Sequence, residues 1–475
     1  MLNTFVIAYL VVSIAIGLLA TLRVKSSRDF ISAGRSLPLS VVTATMFATW
    51  FGSESVLGAP STFLQEGLGG VIADPFGAAF CLIFAGMFFA RALYRRNLLT
   101  IGDFFRERYG REAEVITSVA IMLSYLGWVS AQMIALGVIF SSLSGGSISH
   151  DEGILIGSAI VIFYTMFGGM WSVAVTSFVQ MIIIIIALLI IAYVVAGNAG
   201  GVMVVVDHAR AAGKLDNFWP EMTPASMLAW IGAFVTLALG SIPQQDVFQR
   251  MNTAKNEHIA VAGSILGGVG YLFFCMVPLF LTYAAVVIDP TMVERVMLDD
   301  PQQVLPTFIQ TDLPLIMQVL FFGALLSAIM STASGTLLAP STVFTENLLK
   351  PLLPEQTDKQ FLWMLRLVVL GFGAFISWYA MQSDASIFEM VEDAYKVTLV
   401  AVFVPLTAGI YWSKANRAGA LTAMAAGIAV WLGCEVWAAE SIWPPQLAGL
   451  LASIVGMWFG ATFLSRLLPT PEGAH

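Results

Sequence analysis

Apolar stretches of 18 residues or more recur along the whole chain, separated by short polar joints. A helix of that length crosses the ~30 Å hydrocarbon core of a bilayer. Such runs lie near 2–23, 39–64, 71–93, 114–142, 153–170, 173–196 and 225–247, then near 259–287, 314–347, 361–381, 385–412, 418–438 and 446–466. They predict an all-α polytopic membrane protein of about 13 transmembrane helices, forming a single unit over 1–475. The first run begins at Met1 with no basic cluster or small-residue cleavage site, so it reads as a retained helix rather than a signal peptide.

Composition supports this reading. Hydrophobic residues make up 58% of the chain and charged residues only 11%, far from the balance of a soluble fold. Lys and Arg total 22 against 30 acidic residues, a net charge of −8, which lacks the basic surface that phosphate neutralisation requires; no nucleic-acid partner is expected. Cys81, Cys275 and Cys434 stand far apart in apolar runs with no CxxC pair, so they read as packing residues. There is no GxxxxGK[ST] run to hold a nucleotide, and no HExxH or GxSxG constellation. Neither an enzyme nor a bound cofactor is expected.

The basic residues also orient the chain. With thirteen spans and the N-terminus outside, eighteen of the 22 Lys and Arg fall on one side. Only Arg210, Lys214 and Arg295 fall on the other, and Lys396 lies within a span. Cytoplasmic loops collect Lys and Arg, so the C-terminus is predicted to lie inside. The plasma membrane, of the bacterial inner-membrane type, is the expected location.

Two spans are irregular. The second holds Gly52-Ser53-Glu54-Ser55 and then Gly58-Ala59-Pro60; the seventh holds Gly240-Ser241-Ile242-Pro243-Gln244-Gln245-Asp246. Unpaired backbone at membrane depth survives only where it lines a cavity or is buried in protein. Interrupted helices at corresponding places in two halves point to an inverted-repeat transporter with its site at the midplane, and these two are five helices apart. Ordinary Pro and Gly kinks are the competing explanation.

The motifs now resemble a known family. Asp29-Phe30-Ile31-Ser32-Ala33-Gly34-Arg35, Thr100 to Gly110, Tyr164 to Gln180 with its Gly168-Gly169 joint, Ser327 to Ser334, and Gln249-Arg250 occur in the order and topological places of the sodium:solute symporters. The resemblance spans nearly the whole chain. It implies a leucine-transporter-type core of five plus five helices in inverted repeat, about 39–196 and about 225–412. One extra helix would precede it at about 2–23 and others follow at about 418–466. It implies sodium as the coupling ion and a small organic solute as cargo.

A dehydrated sodium ion needs hard oxygen ligands, which free carbonyls at a helix break and hydroxyls on a facing helix supply. Ser327, Ser331 and Ser334 recur along one helical face with Thr332 adjacent. Carried over by motif, the sodium ligands are the carbonyls of Ala48, Phe51 and Ala328 with the hydroxyls of Ser331 and Thr332. Close helix packing is the other use of such small hydroxyl residues. Many relatives carry Thr-Asp after the Gly-Gly joint, where this chain has Thr176-Ser177. A carboxylate usually near the ion is therefore missing, and Glu54 is a candidate to compensate for it or to carry a proton.

For the solute, the resemblance is nearest to the choline-transporter-like branch, through Ala48-Thr49-Trp50 and Ser241-Ile242-Pro243-Gln244-Gln245. Trp50 and Trp128 are candidate aromatic walls for a cation, although Ala78 and Gln244 stand where that branch has aromatic residues. Gln244 and Gln245 offer amides, and Glu54, Asp74 and Asp246 offer negative charge, so an amine or amino acid suits the site better than a sugar. Each residue has a plainer role beside this one: interfacial packing for the tryptophans, a helix N-terminal charge for Asp74, and an i,i+4 pair with Arg250 for Asp246. Glu389, Glu392, Asp393 and Lys396 read as a structural cluster. Sodium-coupled symport of an amine, amino acid or related metabolite is the expected activity. The alternatives are a proton-coupled transporter and a solute sensor working with a separate signalling partner.

Overall fold

The computed structural model describes residues 8–9, 11–12, 15–19, 21–383, 386–438 and 441–466. Ten of the 22 residues of the predicted first span, 2–23, lie outside them. Among the described residues the fold is all helical, apart from an isolated bridge between Leu37 and Ala254. That bridge ties the start of one irregular pass to the end of the other, through Leu37 N to Thr253 O at 3.0 Å and Lys255 N to Leu37 O at 3.0 Å.

Among the described residues, nine helical stretches are long and apolar enough to cross a membrane. Two of them, Glu54–Arg96 and His150–Asn198, contain 43 and 49 residues. At 1.5 Å per residue each would measure more than twice the ~30 Å hydrocarbon thickness. Each reverses at a glycine: Gly67 has φ 72 and ψ −160, and Gly169 has φ 51 and ψ −148, conformations that an L side chain rarely adopts. Divided there, and with the bent pair Pro224–Gly240 and Gln245–Asn252 taken as one pass, the nine become twelve. A Cβ on Gly169 would stand 2.5 Å from the carbonyl oxygen of Phe30, so two of the sequence motifs meet directly at this reversal.

Both irregular passes are broken, for different local reasons. In the first, Leu39–Trp50 stops at Phe51, whose ψ of 82 leaves the helical region, and winding resumes at Glu54–Gly58. The Gly58-Ala59-Pro60 stretch, expected to belong to the interruption, stays helical. A wide turn over Glu54–Gly58 precedes it, with Ala59 N bonded to Glu54 O, and the proline sits in the first turn of Ala59–Glu66, where its missing N–H costs little. In the second, Pro243 cannot donate, and the two segments Pro224–Gly240 and Gln245–Asn252 meet at 44°.

Candidate functional site

Each break frees a backbone carbonyl, and a threonine on a facing helix takes it. In a continuous helix Gly52 N would bond Ala48 O; it bonds Trp50 O instead, at 2.8 Å. The Thr332 hydroxyl, on Leu315–Val343, donates to the released Ala48 O at 3.1 Å and lies 3.3 Å from Phe51 O. At the second break Gln244 N bonds Ser241 O, and the freed Gly240 O accepts from the Thr398 hydroxyl at 2.7 Å.

The first break is therefore an oxygen cage. Ala48, Phe51, Ala328, Ser331 and Thr332 are all buried, and the carbonyls of Ala48 and Phe51 meet the hydroxyl of Thr332 there. Ser331, next to Thr332 in the chain, has its Oγ 2.7 Å from Ser177 Oγ. Gln132 closes another side by accepting from Ser53 N at 3.1 Å. Gly52 is required there, because a Cβ would stand 2.8 Å from both Gln132 Oε1 and Thr332 Oγ1. Tyr164, from the Gly-Gly motif segment, donates to Met330 O and fastens the hydroxyl-rich helix. Ser327 bonds back to Gly323 O and to the Tyr9 hydroxyl, so the upper end of the serine stripe serves helix packing.

Beside the cage stands an aromatic cluster. Trp50 and Trp128 stack with centroids 4.8 Å apart and planes at 23°, and Tyr125 stacks on the other face of Trp128 at 5.7 Å. Tyr395 meets both indoles edge-on, at 5.4 and 5.5 Å. The two tryptophans form one stacked layer in this conformation rather than opposite walls, since a separation of 4.8 Å leaves no slot between them. Tyr125 and Tyr395 escaped the sequence reading because a lone tyrosine in an apolar run carries no pattern. The Trp50 indole N–H and the Tyr395 hydroxyl are buried without a hydrogen-bond partner.

The polar residues of the seventh span divide into three roles. Gln244 faces the cluster, with its Nε2 2.9 Å from Ser124 Oγ and 3.3 Å from Thr398 Oγ1. Gln245 does not join it: its Oε1 accepts from Ile101 N at 2.8 Å and its Nε2 donates to Leu99 O at 3.1 Å, so both ends of the amide hold the start of Ile101–Tyr109. Gln244 has extended backbone, with ψ 140, ahead of the helix that Gln245 begins, and the two side chains part there. Asp246 pairs with Arg250 at 3.1 Å and accepts from the Tyr125 hydroxyl at 2.5 Å; acid and base are both fully buried.

Glu54 begins the resumed helix just beyond the first break and is 2% exposed. Asp74 is not an exposed N-terminal charge: it is completely buried, its backbone is non-helical, and it accepts from the Tyr271 hydroxyl. Ser55 Oγ lies 2.9 Å from that same hydroxyl, which links the two acidic segments. Lys396 pairs with Asp393 at 2.6 Å, in keeping with a structural cluster there.

Two helices interrupted five apart, an oxygen cage at one break and aromatic and amide groups between the breaks define a membrane carrier of the inverted-repeat helical class. The chain belongs to the sodium:solute symporter family, whose model matches residues 30–427. It is 26% identical over 448 residues to a high-affinity choline transporter of Caenorhabditis elegans, covering 89% of this chain and 76% of the relative. It is 27% identical over 484 residues to the sodium/pantothenate symporter of Escherichia coli, covering 96% of each. A solved Na+-coupled sialic acid symporter in a substrate-bound outward-open state superposes with a TM-score of 0.81 at 18% identity, over 97% of this chain and 98% of that one, a likeness of fold. The protein is thus a multi-pass membrane transporter.

Proposed function

We propose that this chain is a secondary active symporter in which sodium binds at the first break and drives uptake of a small organic solute by alternating access. One observation carries the reading: the Ala48 and Phe51 carbonyls, released from their helix, face the Thr332 hydroxyl with Ser331 and Ser177 beside it. All of these ligands are neutral, which suits an ion that must leave again on the other side. A sodium ion seated there bridges the two halves of the core and favours the state in which they are docked around the solute. The membrane potential supplies about 2.3 kcal/mol per charge per 100 mV.

The solute is an amine, amino acid or related metabolite held between the breaks, with Trp50, Trp128, Glu54 and Gln244 closest to it. The relatives are named for choline and pantothenate, a cation and a carboxylate, so family membership leaves the sign of the solute to the chain's own residues. The basic loops face the cytoplasm, and the chain works in the plasma membrane of a bacterial-type cell.

Uptake into proteoliposomes, across a panel of amines, amino acids and monocarboxylates and with or without an inward sodium gradient, tests the proposal. Accumulation of a panel member only with the gradient is the expected result. Uptake that ignores sodium and follows a pH gradient would transfer the coupling to protons.

A further inference from the structure

Most carboxylates buried in the core have a basic partner: Asp246 has Arg250, Glu114 has Arg111, and Glu346 has Lys350. Glu54 and Asp74 have none among the ion pairs of the described residues. Glu54 Oε1 and Asp74 Oδ2 lack a hydrogen-bond partner altogether. Glu54–Gly58 packs against Ile72–Gly77, and the Tyr271 hydroxyl donates to Asp74 while lying 2.9 Å from the Oγ of Ser55, the residue after Glu54, so the two acids share one locality. Burying paired carboxylates without a counter-charge is costly, and positions of this kind in a membrane protein mark ligand or ion pathways.

Two independent observations point to a ligand there. Ser53 Oγ and the Tyr395 hydroxyl are completely buried without partners, Ser53 next to Glu54 in the chain and Tyr395 on Ile387–Thr398, which packs against Glu54–Gly58. An entrance of matching charge also exists. A cavity of about 310 Å³, on the face away from the basic loops, is lined by Gln65, Glu66, Gln302, Glu389 and Glu392 with no basic side chain among its lining residues. Glu392 lines this cavity from Ile387–Thr398, the helix that packs against Glu54–Gly58.

The aromatic layer argues against one type of cation. A quaternary ammonium is held by aromatic faces around it, whereas here Trp50 and Trp128 cover one another, Tyr125 stacks on Trp128 and Tyr395 turns its edge to both indoles, and Ala78 and Gln244 bring no further ring. At the two acids the unmet demand is for hydrogen-bond donors, since Glu54 Oε1 and Asp74 Oδ2 each accept none. A primary ammonium brings three N–H donors and a positive charge, and a quaternary one brings no N–H donor at all.

We propose that Glu54 and Asp74 form the subsite for a primary ammonium group, making the cargo an N–H-bearing amine rather than a quaternary one. This rests on the symporter reading above and names its substrate class. The test uses the purified full chain in nanodiscs, with ethanolamine, butane-1,4-diamine and choline as probes and radioactive sodium binding measured in parallel. Ethanolamine and choline differ by three N-methyl groups, so they isolate the N–H donors. Ethanolamine or the diamine is expected to bind in the presence of sodium, with choline at least tenfold weaker. Glu54→Gln and Asp74→Asn, both isosteric, are expected to weaken amine binding at least tenfold, with their sodium binding showing that the variants fold. Equal binding of choline and ethanolamine, no binding of any probe by a sodium-binding protein, or wild-type amine affinity in either variant would overturn the subsite while leaving sodium coupling intact. Absence of sodium binding in the parent protein would overturn both readings.

Discussion

Ser177 Oγ lies 2.7 Å from Ser331 Oγ, which joins the helix after the Gly169 reversal to the hydroxyl-rich helix at the oxygen cage. A neutral hydroxyl thus stands where many relatives are expected to place a carboxylate. Ser177→Asp introduces a charge beside the proposed ion, and sodium affinity is predicted to rise at least tenfold, about 1.4 kcal/mol. Half-saturation of sodium-dependent uptake measures it, and an unchanged value would remove Ser177 from the ion's surroundings.

Thr332 bridges the two carbonyls freed at the first break. Ser331→Ala combined with Thr332→Ala is predicted to raise the sodium concentration for half-maximal uptake about tenfold or more, with a smaller effect on solute affinity at saturating sodium. Gly52→Ala should act in the same direction, because its Cβ would displace Thr332 and Gln132 together. A sodium titration identical to that of the parent protein would count against the cage.

Asp246 and Arg250 form an ion pair that is 0% and 1% exposed at its two side chains. Breaking such a pair from one side strands a buried charge and costs about 3–5 kcal/mol. Asp246→Asn and Arg250→Met are each predicted to lower the thermal unfolding temperature sharply, and the double variant less than the sum of the two. Gly335→Ala should mimic the arginine variant, since its Cβ would sit 2.2 Å from Arg250 Nη2. Strict additivity in unfolding would show that the two side chains act independently.

Gln245 holds the backbone at Leu99 and Ile101, whereas its neighbour Gln244 faces the aromatic cluster. Gln245→Ala is predicted to reduce stability by about 1–3 kcal/mol, the cost of leaving buried partners unpaired, without changing solute affinity. Gln244→Ala and Trp50→Ala should do the reverse, weakening solute binding several-fold with sodium binding retained. Binding isotherms and unfolding curves on the same three variants separate the roles.

Much of this protein was legible before any coordinates. Hydrophobic run length dictates helices, because only helices and closed barrels satisfy backbone in a bilayer and continuous apolar runs of 18 residues or more suit the helix. The paired irregular segments around Gly52 and Pro243 announced both breaks, and the Ser331-Thr332 stripe announced the face that meets the first of them. Those signals are local, carried by neighbours in the chain, so the sequence contains them outright. Partner choice is different. That Trp50 lies flat on Trp128, that Tyr271 serves Asp74, and that Gln245 turns away from Gln244 depend on which helices are adjacent and how each is rotated about its axis. Packing between distant segments decides those matters, and a single lone tyrosine or aspartate in an apolar run records none of it. The same packing left Glu54 and Asp74 together without a base among the described residues, a juxtaposition of residues 20 positions apart that only the folded chain brings about.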